Sequence, residues 1–234
     1  MIKYLVLTGA GISAESGIRT FRDTGGLWEE YPVELVASPE GFAADPKFVW
    51  DFYIKRFKQS LEVEPNPGHI ALKRLEDALG DKFHLITQNV DGIHRKAGSK
   101  RLLEMHGRLD QCYCISCHRQ YNMNEIDLAG DVPICTACGS LLRPNIVWFG
   151  EVPYYLYEIE EMLKNCEVFM IVGTSGSVYP AAGFVMTAKL FGARTVAINL
   201  EKPDNLSFID EFYQGRAGEI LPSFVEKIIG DSNG

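Results

Sequence analysis

Short apolar runs separated by longer amphipathic segments dominate this 234-residue sequence. The runs are rich in β-branched and aromatic residues and too short for core helices, which predicts buried strands at 2–7, 83–87, 102–105, 168–172 and 195–198. Apolar residues at helical spacing predict helices within 32–78 and at 158–163, 184–191 and 222–229. This alternation predicts an α/β fold, a Rossmann-like doubly wound parallel sheet.

Two segments interrupt the alternation and predict a smaller second domain. Residues 31–79 are predicted to form a helical insertion, in which 64–68 separates two amphipathic helices. Residues 111–143 contain two pairs of cysteines and form the second part of this domain. The predicted Rossmann-like domain then consists of 1–30, 80–110 and 144–234. With 46% apolar residues, the chain can form an extensive core.

A glycine-rich turn follows the first predicted strand. Gly9, Gly11 and Gly17 allow the backbone to approach a ligand closely, as in phosphate-binding turns. Their spacing differs from the dinucleotide fingerprint G-x-G-x-x-G because the third glycine comes late. Taken alone, the turn is equally consistent with a strand-to-helix connection that merely needs glycine. A second turn of phosphate-binding type follows the strand at 168–172 and reads Gly173-Thr174-Ser175.

Amide and carboxylate side chains follow the strand predicted at 83–87. Gln88, Asn89 and Asp91 lie at its carboxyl end, where open α/β sheets bind ligands. Their oriented donors and acceptors suit ligand hydroxyls and a carboxamide. Capping of the next helix by Asn89 or Asp91 is the structural alternative.

Two further strand ends carry polar side chains. A lone histidine at a strand end, such as His106, is more often a structural hydrogen-bonding group than a catalyst. Its position near the other polar strand ends favours the catalytic interpretation. Asn199 and Glu201 follow the strand at 195–198, where they can contact a ribose or an adenine.

The cysteines give the most specific signal in the sequence. Two C-x-x-C pairs with 17 residues between them fit one tetrahedral zinc ion bound by the thiolates of Cys114, Cys117, Cys135 and Cys138. Protein ligands fill all four positions, so this zinc is expected to be structural. Buried or redox-active cysteines are the alternative. Cys112 lies two residues before Cys114 and does not give the knuckle spacing, and Cys166 is expected to be a core thiol.

Two other segments suggest substrate contacts. Tyr53 and Arg56 are three residues apart and share a helix face, although a packed tyrosine beside a solvated arginine is the ordinary interpretation. The apolar segment 145–149, followed by Gly150, is predicted to be extended and exposed. Such a segment can pair with a substrate backbone by strand addition.

Charge and composition narrow the class of protein. The chain has 23 basic and 31 acidic residues, a net charge of −8, which argues against a general nucleic-acid-binding protein. No run reaches the length of a membrane span, and Met1 leads directly into a strand without a leader. We therefore expect a cytoplasmic protein that is a monomer and binds neither nucleic acid nor membrane.

Taken together, these motifs resemble the sirtuin family of NAD-dependent protein lysine deacylases, specifically its bacterial, desuccinylase-type branch. The resemblance covers nearly the whole chain. The matching motifs stand in the family's order: Gly9-Ala10-Gly11-Ile12-Ser13, Gly17-Ile18, Thr20-Phe21-Arg22, Gln88-Asn89-Val90-Asp91, His106-Gly107, the four cysteines, Arg143-Pro144, Val147-Trp148-Phe149-Gly150-Glu151, Gly173-Thr174-Ser175 and Asn199-Leu200-Glu201.

The resemblance implies NAD as a co-substrate and gives each matching residue a role. His106 is expected to be the general base, a task that suits an imidazole titrating near neutral pH. Residues expected at the pyrophosphate are Ala10, Gly11, Ser13, Thr174 and Ser175; at the nicotinamide side, Phe21 and Arg22; at the nicotinamide and its ribose, Gln88, Asn89 and Asp91; at the adenosine half, Asn199 and Glu201. Gly9, Gly173 and Ala217 are expected to be further NAD-binding residues, and Val147, Phe149 and Gly150 to bind the acylated protein.

The family's reaction consumes NAD. The acyl-lysine carbonyl oxygen attacks the anomeric carbon of the ribose as nicotinamide leaves, and His106 then assists a ribose hydroxyl so that the acyl group ends on ADP-ribose. Tyr53 and Arg56 match the Tyr-x-x-Arg pair of the branch that removes succinyl and malonyl groups, and Ala14 leaves room for such groups. The resemblance thus implies desuccinylation or demalonylation together with deacetylation.

Three other functions remain open at this point. An NAD-dependent oxidoreductase is disfavoured by the glycine spacing and by a zinc site without an open position. A non-enzymatic module that binds NAD or ADP-ribose would use His106 only structurally. Mono-ADP-ribosyl transfer is a related third possibility.

Overall fold

The computed structural model describes residues 1–19 and 31–232. In chain order, its strands are β1 (Ile2–Thr8), β2 (Phe83–Thr87), β3 (Leu102–Glu104), β4 (Gly107–Cys114), β5 (Gln120–Asn122), β6 (Leu142–Ile146), β7 (Cys166–Val172), β8 (Arg194–Asn199) and β9 (Glu211–Gln214). The α-helices are α1 (Ala10–Ala14), α2 (Val33–Val36), α3 (Pro39–Ala44), α4 (Pro46–Glu62), α5 (Pro67–Leu79), α6 (Ile93–Lys96), α7 (Leu156–Lys164), α8 (Phe184–Leu190) and α9 (Ala217–Ser232). Short 3₁₀ turns span Gly80–Lys82, Met123–Glu125, Ala181–Gly183 and Leu206–Phe208. The predicted α/β class is confirmed.

The larger sheet of the described chain is parallel, with the strand order β3-β2-β1-β7-β8-β9. The chain first extends this sheet from β1 towards β3 and later from β7 towards β9, so the strand order reverses between β1 and β7. Thr8 pairs with Thr87 on one side and with Val172 on the other, which brings these three strand ends level. A crevice is expected at such a reversal, and open α/β sheets bind ligands there.

Helices cover both faces of this sheet. Along β1, Tyr4 and Val6 point into the core shared with α5 and α9, whereas Leu5 and Leu7 point into the core shared with α7 and α8. Burial on both faces explains why β1 is a continuous apolar run rather than an alternating one. Among the helices of residues 1–19 and 31–232, none combines the length and apolar character needed to cross a membrane.

Two helices differ from the sequence expectation. Helix α5 falls within the predicted insertion, yet its Leu72 and Leu75 are buried in the core of the larger sheet. Helix α9 begins at Ala217, with Pro222 inside it, rather than at the proline. Proline favours a helix start, but here the packing of Ala217 and Leu221 against the sheet outweighs the backbone hydrogen bond that Pro222 cannot donate.

The remaining strands form a separate antiparallel sheet with the order β5-β4-β6. Helices α2, α3 and α4 share one buried cluster with this sheet, which includes Trp50, Leu142 and Trp148. The Trp50 indole N–H also donates to the Leu142 carbonyl at 2.9 Å. The helical insertion and the cysteine module therefore share a core, in agreement with the predicted smaller domain. The residue boundaries assigned to the domains stay a prediction.

Two histidines form a buried pair beneath the carboxyl ends of β1 and β2. The ring centroids of His69 on α5 and His94 on α6 lie 4.7 Å apart. The Nε2 atom of His94 contacts the Thr8 hydroxyl at 2.9 Å, while neither ring nitrogen of His69 has a hydrogen-bond partner among the described residues. Burial therefore lowers the pKa of His69 to about 4 and lowers the pKa of His94 well below its ordinary value.

We expect this pair to make the fold acid-sensitive. Between pH 6.5 and about 4, the unfolded chain binds a proton at His69 that the folded chain does not, so stability falls as the pH falls. For His69 alone, the free energy of unfolding should drop by roughly 3 kcal/mol over this range. Urea unfolding of His69→Leu at several pH values should show a flatter pH dependence than the wild type. The exposed His118→Asn serves as control, and an unchanged slope in His69→Leu would contradict the expectation.

Candidate active site

The first glycine-rich turn and the turn after β7 touch each other at the crevice. The Gly9 N–H donates to the Val172 carbonyl at 3.0 Å, and the Gly11 N–H donates to the Gly173 carbonyl at 2.8 Å. A β-carbon on Gly11 would lie 2.8 Å from the Cα of Gly173, and Gly173 has a φ of +63°. Both turns therefore need glycine, one for close approach and one for its backbone conformation.

A cavity of about 950 Å³ opens at these two turns. Its size is typical of cofactor sites. Most of the residues predicted to form the site line it: Gly9, Ala10, Gly11, Tyr53, Arg56, Gln88, Asn89, His106, Val147, Phe149, Gly150, Gly173, Thr174, Ser175, Asn199, Glu201 and Ala217. The fold thus brings together residues from both domains and from both ends of the sequence.

Ser13 and Asp91, two of the predicted NAD-binding residues, are placed differently from the others. Among the described residues that were predicted to bind NAD, these two do not line the cavity. The Ser13 hydroxyl accepts a hydrogen bond from the Asn89 amide at 2.9 Å, and the Asp91 carboxylate accepts the Ile93 N–H at 2.9 Å. Ser13 therefore holds the cavity-lining Asn89, whereas Asp91 caps the start of α6, the structural alternative given above. Phe21 and Arg22 lie outside the described residues.

His106 is held in one tautomer by the backbone. Its Nδ1 lies 3.1 Å from the Gln88 carbonyl oxygen, which can only accept, so Nδ1 carries the proton and Nε2 keeps its lone pair. Burial lowers the pKa of His106, and the hydrogen bond to Gln88 partly opposes this effect. The imidazole is therefore neutral at pH 7 and can accept a proton at Nε2.

Amide side chains tie the strand ends together around His106. The Gln88 amide donates to the Thr174 hydroxyl at 3.1 Å, which connects β2 to the turn after β7. The Asn89 amide donates to the Gly9 carbonyl at 2.9 Å and so connects β2 to the first glycine turn. These bonds make the cavity floor one connected unit.

Tyr53 and Arg56 form a buried polar wall on α4. Their side chains are 3% and 8% exposed, so Arg56 is not the solvated arginine of the ordinary interpretation. The Tyr53 hydroxyl accepts a hydrogen bond from the Trp148 indole at 3.0 Å. Burial raises the pKa of Tyr53 to about 12 and lowers the pKa of Arg56. The phenol is therefore fully protonated at neutral pH.

Trp148 is a site residue to which no role was assigned from the sequence. It lines the cavity, is 2% exposed and bonds to a side chain 95 residues away. The sequence offered only a general indication of a role for Trp148, namely that a buried indole N–H needs a hydrogen-bond acceptor. Which acceptor it finds depends on tertiary structure.

The segment after β6 crosses the cavity beside His106. The Val147 N–H donates to the His106 carbonyl at 2.9 Å, and the Phe149 N–H donates to the Ala37 carbonyl at 2.9 Å. These bonds fix the segment between the two domains. The prediction that the segment 145–149 is exposed is wrong for Asn145, Ile146 and Trp148, which are buried in the smaller domain, whereas the Phe149 side chain is 50% exposed.

The far end of the cavity is bounded by Asn199 and by the start of α9. The Asn199 amide donates to the Thr174 carbonyl at 3.1 Å. The Glu15 carboxylate accepts the Gly218 N–H at 3.0 and 3.1 Å, which closes the first turn of α9. Charged residues that no local motif marks as site residues also line the cavity: Glu15, Lys202, Asp204 and Arg216.

The four predicted zinc ligands meet at one point of the smaller domain. Their sulfur atoms all lie within 4.8 Å of one another, with 3.5 Å between Cys114 and Cys138 and 3.6 Å between Cys117 and Cys135. Four thiolates around a tetrahedral zinc lie about 3.8 Å apart, so the cluster fits one structural zinc ion. Cys112 is buried in β4 outside this cluster, and all six cysteines are free of disulfide bonds.

Comparisons with known proteins agree with this arrangement. The model of the Sir2 family matches residues 9–180. A similar protein is the NAD-dependent protein deacylase of Pasteurella multocida (strain Pm70), which is 48% identical over 230 residues, covering 97% of this chain and 98% of that one.

Solved structures give the same result. A Sir2 homologue mutant in complex with ADP-ribose superposes with a TM-score of 0.93 at 37% identity, covering 99% of this chain and 94% of the other. Sir2 bound to acetylated peptide superposes with a TM-score of 0.86 at 30% identity, covering 99% and 93%. The chain therefore belongs to the Sir2 family, as the resemblance of its motifs to the sirtuins predicted.

Proposed function

We propose that this protein is an NAD-dependent protein deacylase that moves acyl groups from lysine side chains to ADP-ribose. The observation that carries the proposal is His106, whose Nδ1 is tied to the Gln88 carbonyl inside the cavity at the β1/β7 crevice. The deacylase from Pasteurella multocida and the Sir2 complexes with ADP-ribose and with acetylated peptide support it. NAD, when bound, supplies an electrophilic ribose carbon and nicotinamide as leaving group.

The residues of the cavity fit NAD. The Gly9 and Gly173 turns approach too closely for side chains, which leaves backbone and hydroxyl groups of Ala10, Thr174 and Ser175 for the pyrophosphate. Asn199 and Glu201 lie at the end of β8, where they would hold the adenosine half. Gln88 and Asn89 would position the nicotinamide half, and the hydrogen bond from the Asn89 amide to the Ser13 hydroxyl would keep Asn89 in place.

His106 would act as a general base on a ribose hydroxyl. Its neutral imidazole can take a proton at Nε2, while the Nδ1 bond keeps the ring in position. The segment containing Val147, Phe149 and Gly150 lies beside it and would bind the backbone of the acylated protein. Acyl-lysine proteins are thus the partners that the site supports.

The acyl groups we propose are succinyl and malonyl in addition to acetyl. Tyr53 and Arg56 place a phenol and a guanidinium in a buried wall of the same cavity. A guanidinium binds a carboxylate strongly when water is excluded, and the phenol adds a second donor. Ala14 also lines the cavity, and its small side chain leaves space for the longer acyl groups.

The first experiment is nicotinamide release from NAD with matched succinyl-lysine and acetyl-lysine peptides. Peptide-dependent release supports the proposed reaction. Formation of reduced cofactor without release of nicotinamide would instead indicate an oxidoreductase. Tight NAD binding without release from either peptide would show a non-enzymatic NAD-binding module.

The acyl preference is tested with Arg56→Met. Because the guanidinium would pair with the distal carboxylate, we expect kcat/KM for the succinyl peptide to fall by about 10²-fold. Activity on the acetyl peptide, which has no carboxylate, should change by only a few-fold. Lys58→Met is the matched control, since it removes an exposed positive charge from the same helix. Equal losses on both peptides in Arg56→Met would contradict the proposal.

A further inference from the structure

The Tyr53 hydroxyl makes one hydrogen bond within the described residues, and in that bond it is the acceptor. An indole N–H can only donate, so in the 3.0 Å contact with Trp148 the Tyr53 oxygen must accept. The phenol keeps its own proton, because burial raises its pKa to about 12. That proton is not engaged by any described residue, and the neighbouring Arg56 guanidinium has no lone pair to accept it.

Trp148 is itself fixed from two sides. The Arg143 guanidinium lies 3.5 Å over the Trp148 ring, a stacked cation–π contact. Glu151 holds that guanidinium with both carboxylate oxygens, at 2.7 and 3.0 Å, and accepts the Trp148 backbone N–H at 2.8 Å. The indole N–H therefore reaches Tyr53 from a rigid position.

We infer that Trp148 is a specificity-determining residue, which orients the Tyr53 hydroxyl so that its proton points into the cavity towards an acyl chain ending in a carboxylate. With one in-plane site of the phenol oxygen occupied by the Trp148 N–H, the proton takes the other site. Trp148 acts through Tyr53 and is a positioning residue. The inference rests on the proposed acyl preference and extends it to a residue outside the Tyr53 and Arg56 pair.

The test is Trp148→Phe, which removes the N–H but keeps an aromatic ring under Arg143. We expect KM for the succinyl peptide to rise by about tenfold more than KM for the acetyl peptide, with kcat for the succinyl peptide little changed. Trp50→Phe is the matched control, because it removes an indole hydrogen bond from the same buried cluster, and that bond goes to the Leu142 carbonyl rather than to Tyr53. Equal losses on both peptides in Trp148→Phe would overturn the inference.

A double-mutant cycle with Tyr53→Phe separates positioning from simple packing. If Trp148 acts through the Tyr53 hydroxyl, the double variant should lose no more succinyl selectivity than Tyr53→Phe alone. Additive losses of succinyl selectivity in the double variant would overturn the inference. Unchanged succinyl selectivity in Tyr53→Phe would also overturn it, and this second measurement remains available if Trp148→Phe does not fold. A wild type that removes acetyl but not succinyl groups would refute the proposed acyl preference itself. If the wild type removes succinyl groups and Trp148→Phe does not change its succinyl selectivity, only the role of Trp148 is refuted.

Discussion

Replacing His106 with asparagine is expected to lower kcat for deacylation by roughly 10²- to 10⁴-fold, the range that a positioned general base contributes. Asparagine can still donate a hydrogen bond towards the Gln88 carbonyl, so the cavity wall should persist, but it cannot accept a proton at neutral pH. NAD affinity should therefore stay close to that of the wild type. Steady-state deacylation and calorimetric NAD titration measure the two quantities separately.

His84→Asn provides the control for His106→Asn. It changes another partly buried histidine, on β2, that does not line the cavity. Its deacylation rate should match that of the wild type. Retention of most activity in His106→Asn would show that the general base is another group and would contradict our assignment.

The wild-type pH profile gives an independent test of the same role. A general base must be unprotonated, so kcat/KM should fall as the pH drops through the pKa of His106. Because burial lowers that pKa, the acid limb is expected below pH 6.5. This limb should disappear in His106→Asn. A limb well above pH 6.5 would contradict a buried imidazole as the titrating group.

Loss of one zinc ligand is expected to abolish zinc binding and to lower the stability of the smaller domain strongly. In small modules, structural zinc contributes on the order of 10 kcal/mol of folding free energy. Cys135→Ser should therefore lose bound zinc and unfold the cysteine module. Because Cys135 and Cys114 share a buried cluster with Tyr53 and Trp148, the acyl-binding wall should loosen as well. Deacylation should then fall together with the melting temperature.

Elemental analysis and calorimetry measure these two consequences. Cys112→Ala is the matched control: Cys112 is buried on the same strand as Cys114 but lies outside the four-sulfur cluster. It should keep one zinc ion per chain, with a modest loss of stability from the smaller side chain. Full zinc content in Cys135→Ser, or zinc loss in Cys112→Ala, would show that the ligand set is different.

The sequence by itself determined the features that depend on neighbouring residues. Continuous apolar runs such as 168–172 identified buried strands, because strand burial leaves a pattern within a few residues. The C-x-x-C pairs identified the zinc ligands, because each pair presents two thiolates in one local turn. The glycine turns after β1 and β7 were recognisable for the same reason: a close backbone approach needs glycine at fixed positions.

Only the tertiary structure decided which distant side chains meet. The Trp148–Tyr53 bond joins residues 95 apart and the Glu15–Gly218 bond joins residues 203 apart, and no local pattern encodes either pair. Likewise, helix α5 was predicted from its periodicity, but whether its apolar face covers the large sheet or the insertion depends on how the chain packs. Local spacing records backbone preferences, whereas the partner of a buried donor or an apolar face is chosen by the packing of the whole chain.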